Sequence, residues 1–177
     1  SSRFGKFIEM SFESRKKQQQ HQRGSLLGAT IDFYLLEKVR LVSVNPGERN
    51  YHVFYEVLAP NNGMCMNELR RYKLASKTVN DFHMTSMSGT NGRRDGVQDS
   101  TTYKELRTAM DTVGFSVNEQ DGIFKVIAGL LHASNLQFVN TTTDDCCSVY
   151  DQDNTSATIS NLFGVSENSL QMALTTS

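Results

Sequence analysis

Two stretches near the start of the chain, 4–12 and 27–35, alternate apolar and polar positions. A period of two places successive side chains on opposite faces of a β-strand. Between these stretches, segment 14–24 (SRKKQQQHQRG) contains no apolar side chain that could enter a core. The pattern therefore predicts two strands that pair as a hairpin, joined by a solvated connection. One apolar face comprises Phe4, Ile8, Met10 and Phe12 in the first strand and Leu27, Ala29, Ile31, Phe33 and Leu35 in the second.

Helical spacing replaces this alternation further along the chain. Apolar side chains recur three and four positions apart in 51–58, which predicts an amphipathic helix. The pair Thr102 and Glu105 and the pair Ser116 and Glu119 both have the spacing of a capping box, so we expect a helix to begin at each. Gly114 lies where a glycine commonly ends a helix.

Three stretches have weaker patterns. Residues 61–100 show little periodicity and end in a glycine-rich and charged run, which predicts surface loops with room for one short helix. After His132 the chain becomes polar through Ser156. We expect a short helix over 158–163 and another that begins at Ser166 or Glu167.

The composition of the 177 residues, with 38% hydrophobic side chains, is that of an ordinary globular segment. No apolar run is long enough for a transmembrane helix. A net charge of -1 argues against a dedicated nucleic-acid binder, and only the tract from Arg15 to Arg23 leaves that possibility open. The three cysteines, Cys65, Cys146 and Cys147, form neither a metal-ligand pattern nor a disulfide framework, so we interpret them as reduced.

The most specific candidate for chemistry is the run Ser1-Ser2-Arg3-Phe4-Gly5-Lys6. Hydroxyl groups can bind Mg²⁺, and a guanidinium can pair with phosphate or a carboxylate. Judged on its pattern alone, this run is more often a polar lead-in to a strand. The histidines His52 and His132 lie within apolar helical patterns, where packing or capping is commoner than catalysis.

Four blocks of the sequence, in their order and spacing, resemble the myosin head. They are SSRFGKF, LLGATIDFYLLEKVR, NPGERNYHVFYEVLA and AMDTVGFSVNEQDGIFKVIAGLLHASNLQF, and together they cover most of the chain. The first block resembles switch I, without the asparagines that usually precede its two serines. The family patterns LLHLGN and YLLEKSR differ here at Ala133, Ser134 and Val39.

The resemblance implies roles for three residues of the first block. Ser2 would be a ligand of Mg²⁺, and Ser1 would position the attacking water or relay its proton; both would lie beside the bound nucleotide. Arg3 would form an ion pair with a glutamate of switch II when the site closes. The cofactor implied is Mg²⁺, with ATP as the substrate. The P-loop and switch II do not occur in this sequence, so we expect the isolated chain not to hydrolyse ATP.

For the fold, the resemblance implies an α/β protein of the P-loop NTPase type. Residues 1–44 would form part of switch I and two hairpin strands of a central sheet, and 45–177 a mainly helical part of the upper 50-kDa region. The chain would be one segment of a motor domain that extends beyond both of its ends.

For the function, the resemblance implies an actin-based motor that couples ATP hydrolysis to force, an ATPase in its intact form. The implied partners are actin filaments, with light chains bound through other regions, and the implied location is the cytoplasmic cytoskeleton. An alternative is a degenerate myosin-like head that binds actin or another protein without catalysis. The intactness of the P-loop and switch II would distinguish the two.

Overall fold

The computed structural model describes residues 5–13, 25–34, 37–140, 147–151 and 153–175. Its chain divides into two compact units, 1–39 and 40–177. Each unit has its own secondary structure and is described separately. Along the described residues, no helix is long and apolar enough to cross a membrane.

The first unit contains the hairpin that the alternating pattern predicts. Strand β1 (Gly5–Phe12) pairs antiparallel with strand β2 (Leu26–Tyr34), and the register aligns Gly5 with Tyr34 and Ile8 with Ile31. The register is irregular between Ser11 and Phe12. Apolar side chains on both faces are exposed, including Phe7 at 56% on one face and Phe33 at 70% on the other. A two-stranded hairpin of this kind is marginal on its own, because it buries little apolar surface.

A 3₁₀ turn (Lys38–Leu41) crosses the boundary between the units, and its residues 40 and 41 belong to the second unit. The described part of this unit then forms seven helices and a short hairpin. Helix α1 (His52–Leu58) buries Phe54, Tyr55, Glu56, Val57 and Leu58, and this confirms the helical stripe seen in the sequence. The other elements are α2 (Met66–Arg71), a 3₁₀ turn (Val79–Asp81), α3 (His83–Ser86), α4 (Asp99–Thr112), α5 (Val117–Ala133), β3 (Gln137–Asn140), β4 (Cys147–Tyr150), α6 (Thr155–Phe163) and α7 (Glu167–Thr175).

The core of the second unit lies between α1, α4 and α5 and includes segments that the sequence left as loops. Tyr72, Phe82 and Met84 are each at most 3% exposed. The prediction of surface loops over 61–100 was therefore wrong for these positions. The segment packs through single residues that turns separate, including Lys73 and Ser76 with positive φ, so its apolar residues do not recur with a helical period.

Helix α5 begins where its capping box predicts. Ser116 Oγ accepts a hydrogen bond from the Glu119 backbone N–H at 3.3 Å, and Glu119 Oε2 accepts one from the Ser116 backbone N–H at 2.8 Å. Phe124, Ala128 and Leu131 are buried on this helix, whereas Ile123 and Val126 are exposed at 38% and 48%. Some apolar side chains of α5 therefore remain at the surface of the described unit.

The other capping prediction was wrong. Helix α4 begins at Asp99, three residues before Thr102, and the Thr102 hydroxyl donates to the Asp99 backbone carbonyl at 3.1 Å. A threonine in the first turn can bond backward to the helix instead of capping it. Gly114, with φ of 91°, follows the helix as predicted, and the Phe115 N–H closes the end by donating to Met110 O at 3.0 Å.

Two features near the end of the chain differ from the sequence-based expectations. Strands β3 and β4 pair antiparallel within the tract predicted to be polar and irregular, with Phe138 aligned with Val149. Helix α6 begins at Thr155 rather than 158, because Asp151 accepts hydrogen bonds from the backbone N–H groups of Thr155 and Ser156 at 2.7 and 2.8 Å. Helix α7 begins at Glu167, one of its two predicted starts.

Candidate functional site

The candidate site residues Ser1, Ser2 and Arg3 lie outside the described residues, as does Phe4. The described chain begins at Gly5, the first residue of β1. The structure therefore places the hairpin that follows the candidate segment but leaves the three assigned roles as predictions. Among the described residues, no group of three or more His, Cys, Asp or Glu side chains is placed to hold a metal ion.

Gly5 is held against the aromatic ring of Tyr34. The two residues are register partners, and a Cβ added at Gly5 would lie 2.8 Å from Cζ of the Tyr34 ring. That separation is shorter than real Cβ contacts allow, so a side chain at position 5 would require the ring to move. Only glycine allows the strand to begin this close to Tyr34.

A buried polar network surrounds the start of helix α1, and Asn50 lies at its centre with no exposed surface. Asn50 Nδ2 donates to the backbone carbonyls of Arg40 at 2.8 Å and Met84 at 3.3 Å. Its Oδ1 accepts from the Tyr51 backbone N–H at 2.7 Å. The Asn50 side chain thus connects the 3₁₀ turn at Lys38–Leu41, the beginning of α1 and helix α3. It also satisfies polar backbone groups that burial would otherwise leave unpaired.

The Tyr55 hydroxyl extends this network. It accepts a hydrogen bond from the Asn50 backbone N–H and donates one to the backbone carbonyl of Thr85, each at 3.2 Å. The Tyr55 ring is also covered by the guanidinium of Arg49, whose Cζ lies 3.9 Å from the ring centroid. This position is that of a cation–π contact, which is stronger where both groups are removed from water.

Two arginines connect the network to acidic side chains. Arg40 Nη1 donates to Glu48 Oε2 and to the backbone carbonyl of Arg49, both at 3.0 Å. Arg49 Nη2 donates to Asp99 Oδ2 at 2.7 Å, at the first residue of α4. Arg40 and Arg49 are each 5% exposed, so both charges are nearly removed from solvent. Such charges need acidic and polar partners to remain buried.

Glu56 occupies the opposite side of this network on α1 and is 8% exposed. Arg93 Nη1 lies 3.6 Å from Glu56 Oε1 and 3.9 Å from Asp99 Oδ1, and its Nη2 pairs with Asp95 Oδ2 at 2.6 Å, so one guanidinium is shared among three carboxylates. Burial raises the pKa of Glu56 and the Asp99 charge adds to that rise, whereas a hydrogen bond with Thr102 and the charges of Arg93 and Arg49 oppose it. The arginines therefore do not fully compensate the burial of this carboxylate.

The two histidines examined in the sequence have the packing roles expected of them. His132 Nε2 lies 3.2 Å from the Tyr72 backbone carbonyl, and its ring meets the edge of Phe82 with a centroid separation of 5.3 Å. Burial lowers the pKa of His132, which favours its neutral form. His52 is the first residue of α1, with Nδ1 3.4 Å from Arg49 Nη1.

Sequence reasoning did not single out Arg49, Asn50 or Glu56, although all three lie in the block NPGERNYHVFYEVLA. The only local signal was a polar run directly before an apolar stripe. Their partners Thr85, Arg93 and Asp99 are remote in the sequence, and only the fold shows that they meet. The arrangement fixes the backbone around α1 through side chains from several segments.

Comparison with known proteins agrees with the resemblance in the sequence blocks. Residues 1–177 match the family model described as myosin head (motor domain). Myosin-1 of Saccharomyces cerevisiae is 38% identical over 177 residues, 98% of this chain and 8% of the relative. Myosin-7 of Arabidopsis thaliana is 43% identical over 138 residues, covering 78% of this chain and 7% of the relative.

The myosin IB heavy chain of Dictyostelium discoideum is 40% identical over 139 residues, covering 78% of this chain and 11% of the relative. The chain thus spans between 7% and 11% of the length of these curated relatives. The family match nevertheless includes the candidate segment, the hairpin and the helical unit. The chain belongs, over residues 1–177, to the myosin head (motor domain) family.

Proposed function

We propose that the protein carrying this chain is an actin-based motor that hydrolyses ATP, and that this chain supplies part of switch I. The observation that supports this proposal most strongly is the family match over all 177 residues, including the SSRFGKF block. In the described structure that block runs directly into strand β1. The complete protein would have the P-loop NTPase fold, with 1–44 in the switch and central sheet and 45–177 in the upper 50-kDa region.

The hairpin supports this placement independently of the sequence match. Both of its faces expose large apolar side chains in the described unit, among them Phe7 at 56% and Phe33 at 70%. Further strands and helices of a central sheet would cover these faces and pair the free edges, which is how sheets avoid exposed edges. The actin filament and the cytoplasmic cytoskeleton belong to the same proposal for the complete motor, as do light chains bound elsewhere.

At the nucleotide, Ser2 would bind Mg²⁺ through its hydroxyl and Ser1 would orient the water that attacks the γ-phosphate. A hydroxyl is a suitable donor, because Mg²⁺ prefers oxygen ligands and usually keeps water and phosphate oxygens as the rest of its shell. The ion would supply electrostatic stabilisation of the phosphate oxygens. Arg3 would hold the site closed by pairing with a carboxylate of switch II, which keeps bulk water out during cleavage.

The test of this function is Arg3→Ala in the full-length protein. ATP binding should survive, because the P-loop elsewhere in the protein would provide most of the grip on phosphate. The cleavage step, measured by quenched flow, should slow by about 10² to 10³, the usual effect of losing one preorganised electrostatic contact. Lys104→Ala, which removes an exposed cation on α4, serves as the control and should cleave ATP at the unaltered rate.

A charge exchange sharpens the assignment. Arg3→Glu alone should be as slow as Arg3→Ala or slower, and combining it with arginine at the switch II glutamate should restore part of the rate. Normal ATP cleavage in Arg3→Ala would show that Arg3 is not needed to hold the site closed. Absence of ATP cleavage from the unaltered full-length protein would instead favour a myosin-like head that binds partners without catalysis.

A further inference from the structure

A basic surface lies on the second unit, far along the sequence from the switch segment. Five of the chain's 18 lysine and arginine residues contribute to it, although the whole chain has a net charge of -1. Four of these side chains come from eight consecutive residues at the end of α2 and in the following turn, and the fifth comes from α5. We call this surface the basic patch, and its members are Arg70, Arg71, Lys73, Lys77 and Lys125.

Asp121 on α5 joins two members of the basic patch, Arg71 and Lys125. Asp121 on α5 accepts from Arg71 Nη1 at 2.6 Å and pairs with Lys125 Nζ at 2.8 Å. The Tyr72 hydroxyl also donates to Asp121 Oδ1 at 3.0 Å. About three turns further along α5, His132 contacts the Tyr72 backbone carbonyl, and the charges of Lys77 and Lys73 contribute to lowering its pKa after the larger effect of burial.

The turn that carries Lys73 and Lys77 is anchored in the core by buried side chains. Tyr72 and Leu74 are 1% and 3% exposed and anchor it in the core. The Leu69 carbonyl accepts hydrogen bonds from the N–H groups of Leu74 at 2.8 Å and Ala75 at 3.2 Å. Lys73 and Ser76 both have left-handed backbone conformations, with φ of 57° and 62°, although neither is glycine. Lys73 occupies the left-handed position that commonly follows the end of a helix, and these hydrogen bonds hold it there.

The positive charge of the basic patch is incompletely neutralised. Asp121 pairs with Arg71 and Lys125, but among the described residues no acidic side chain forms an ion pair with Arg70, Lys73 or Lys77. The charge of Lys77 contributes to lowering the pKa of Asp81, a further acidic residue. The Asp81 carboxylate accepts a hydrogen bond from the Thr78 hydroxyl. Three exposed cations on a rigid base therefore face solvent and attract negative charge.

Two of the five cations, Arg71 and Lys125, already bind a carboxylate, that of Asp121, and this is the kind of anion that we expect the remaining cations to attract. Burial opposes the ionisation of Asp121, yet hydrogen bonds from Lys125, Arg71 and Tyr72 outweigh that effect and lower its pKa to about 2. The surface thus already stabilises a carboxylate strongly. No large apolar side chain is exposed among residues 70–77, because Tyr72 and Leu74 point into the core, whereas membrane-surface binding usually combines cations with an inserted apolar face.

We propose that the basic patch is a docking surface for a carboxylate-rich segment of a protein, held by Arg70, Lys73 and Lys77. The fixed turn lowers the conformational entropy lost on binding, since the lysine-bearing backbone is already ordered. Binding is electrostatic and weakens as salt rises, because exposed charges are screened over about 8 Å at physiological ionic strength. This docking surface does not depend on ATP hydrolysis by the same protein.

The test measures binding of a fluorescein-labelled glutamate-rich peptide to the full-length protein by fluorescence anisotropy at low ionic strength. The double variant Lys73→Glu/Lys77→Glu should bind about tenfold more weakly or worse, because it replaces two attractions with two repulsions. Lys73→Arg/Lys77→Arg should bind like the unaltered protein. The matched control Lys38→Glu/Lys104→Glu makes the same change in net charge at exposed positions outside the basic patch and should stay within about twofold.

The pKa of His132 reports whether the peptide binds beside Lys73 and Lys77. A carboxylate bound beside Lys73 and Lys77 offsets their repulsion of a proton, so the pKa of His132, followed by histidine NMR and assigned with His132→Gln, should rise when peptide is bound. That rise should vanish in Lys73→Glu/Lys77→Glu. Three results overturn the proposal: no peptide binding, equal losses in the patch and control variants, or an unchanged His132 at saturation. Phosphatidylserine vesicles that bind through the patch while the peptide does not would assign it to a membrane and overturn it as well.

Discussion

Arg49 and Asp99 lie 50 positions apart in the sequence, and their ion pair of 2.7 Å joins the segment before α1 to the first residue of α4. The Arg49 side chain is 4% exposed and that of Asp99 is 20% exposed. The same guanidinium covers the Tyr55 ring, so this one pair couples the polar network to the apolar core. The second carboxylate oxygen of Asp99, Oδ1, lies 3.9 Å from Arg93 Nη1.

Arg49→Met should therefore loosen α1 and α4 together. It leaves the Asp99 charge half-buried with a distant partner, and breaking a buried pair in this way costs about 2–4 kcal/mol. Native-state hydrogen exchange of the two helices measures this loss as a local free energy of opening. Because the double variant Arg49→Met/Asp99→Asn also removes the stranded charge, it should lose less than the sum of the two single variants.

The control for this pair is Asp95→Asn. Asp95 also pairs with an arginine, Arg93, but its side chain is 51% exposed, so the change should affect the two helices much less. Additive losses in the Arg49 and Asp99 variants would show that the two side chains act separately, which would contradict a coupled pair.

Glu56 should make the stability of α1 depend on pH in the direction opposite to that of a carboxylate whose pKa is lowered by folding. Its pKa is raised in the fold, chiefly by burial, so the ionised form costs stability at pH values above that raised pKa. Glu56→Gln should thus stabilise α1 at neutral pH. The advantage should shrink as pH falls through the raised pKa and disappear below the ordinary value of 4.5, where glutamate is protonated in both states.

Glu119 provides the matched comparison on α5. Hydrogen bonds from the Ser116 hydroxyl and backbone N–H lower its pKa, so its contribution is present above 4.5 and lost as pH falls through the lowered value. The pH-dependent part of the Glu119→Gln effect should therefore have the opposite sign to that of Glu56→Gln. Hydrogen exchange measured across a pH series checks both helices, and a destabilised α1 in Glu56→Gln at neutral pH would show that Arg93 and Arg49 require this carboxylate.

Two glycines of α5 should respond in opposite ways to the same substitution. A Cβ at Gly129 would overlap the Phe163 ring of α6, whereas nothing lies within 4 Å of a Cβ at Gly122. Gly129→Ala should cost about 1–3 kcal/mol through overpacking. Gly122→Ala should gain about 0.5–1 kcal/mol, because alanine loses less backbone entropy in a helix.

The thermal unfolding midpoint and the exchange rates of α5 and α6 measure this contrast. Phe163→Leu should rescue part of the loss in Gly129→Ala, since it removes the ring that the new methyl group meets. If both alanine variants shifted stability in the same direction, the close approach of the two helices would not be the cause.

The sequence predicted the elements that local patterns define. The alternation of 4–12 and 27–35 identified the hairpin, and the Ser116 and Glu119 pair located the start of α5, because each pattern is contained within a few neighbouring residues. It did not predict that Asn50 binds the Met84 carbonyl, 34 positions away, or that Arg93 lies near the carboxylate of Glu56. These contacts depend on tertiary packing, which no local period encodes.

Short elements were missed for a related reason. Strand β3 has four residues, too few for an alternation to stand out, and Gln137 and Asn140 make it polar at both ends. The core positions of 61–100 are separated by turns that include left-handed residues such as Lys73. The roles of Ser1, Ser2 and Arg3 remain predictions from the family resemblance, since the described structure begins after them.

Gly5, the first residue of β1, directly follows the candidate switch residues Ser1, Ser2 and Arg3 and Phe4 in the sequence. Gly5→Ala should displace the Tyr34 ring, because the added Cβ would lie 2.8 Å from its Cζ, and the start of the strand should shift with it. If the preceding serines and arginine form part of the nucleotide site, a shift of about 1 Å there can cost about 10² in the rate of ATP cleavage. Quenched flow on the full-length protein measures that step directly.

Gly28→Ala is the matched control, because Gly28 lies in the same hairpin, opposite Ser11, and a Cβ there meets nothing within 4 Å. It should leave cleavage unchanged, and it tests whether any alanine in the hairpin has an effect. The double variant Gly5→Ala/Tyr34→Ala removes the ring and should recover much of the rate, whereas ATP binding should be similar in all three variants. If cleavage stayed slow in the double variant, Gly5 would be needed for its backbone freedom and not for its close approach to Tyr34. The Tyr34 ring is 53% exposed, so in that case it could move aside in Gly5→Ala without affecting cleavage.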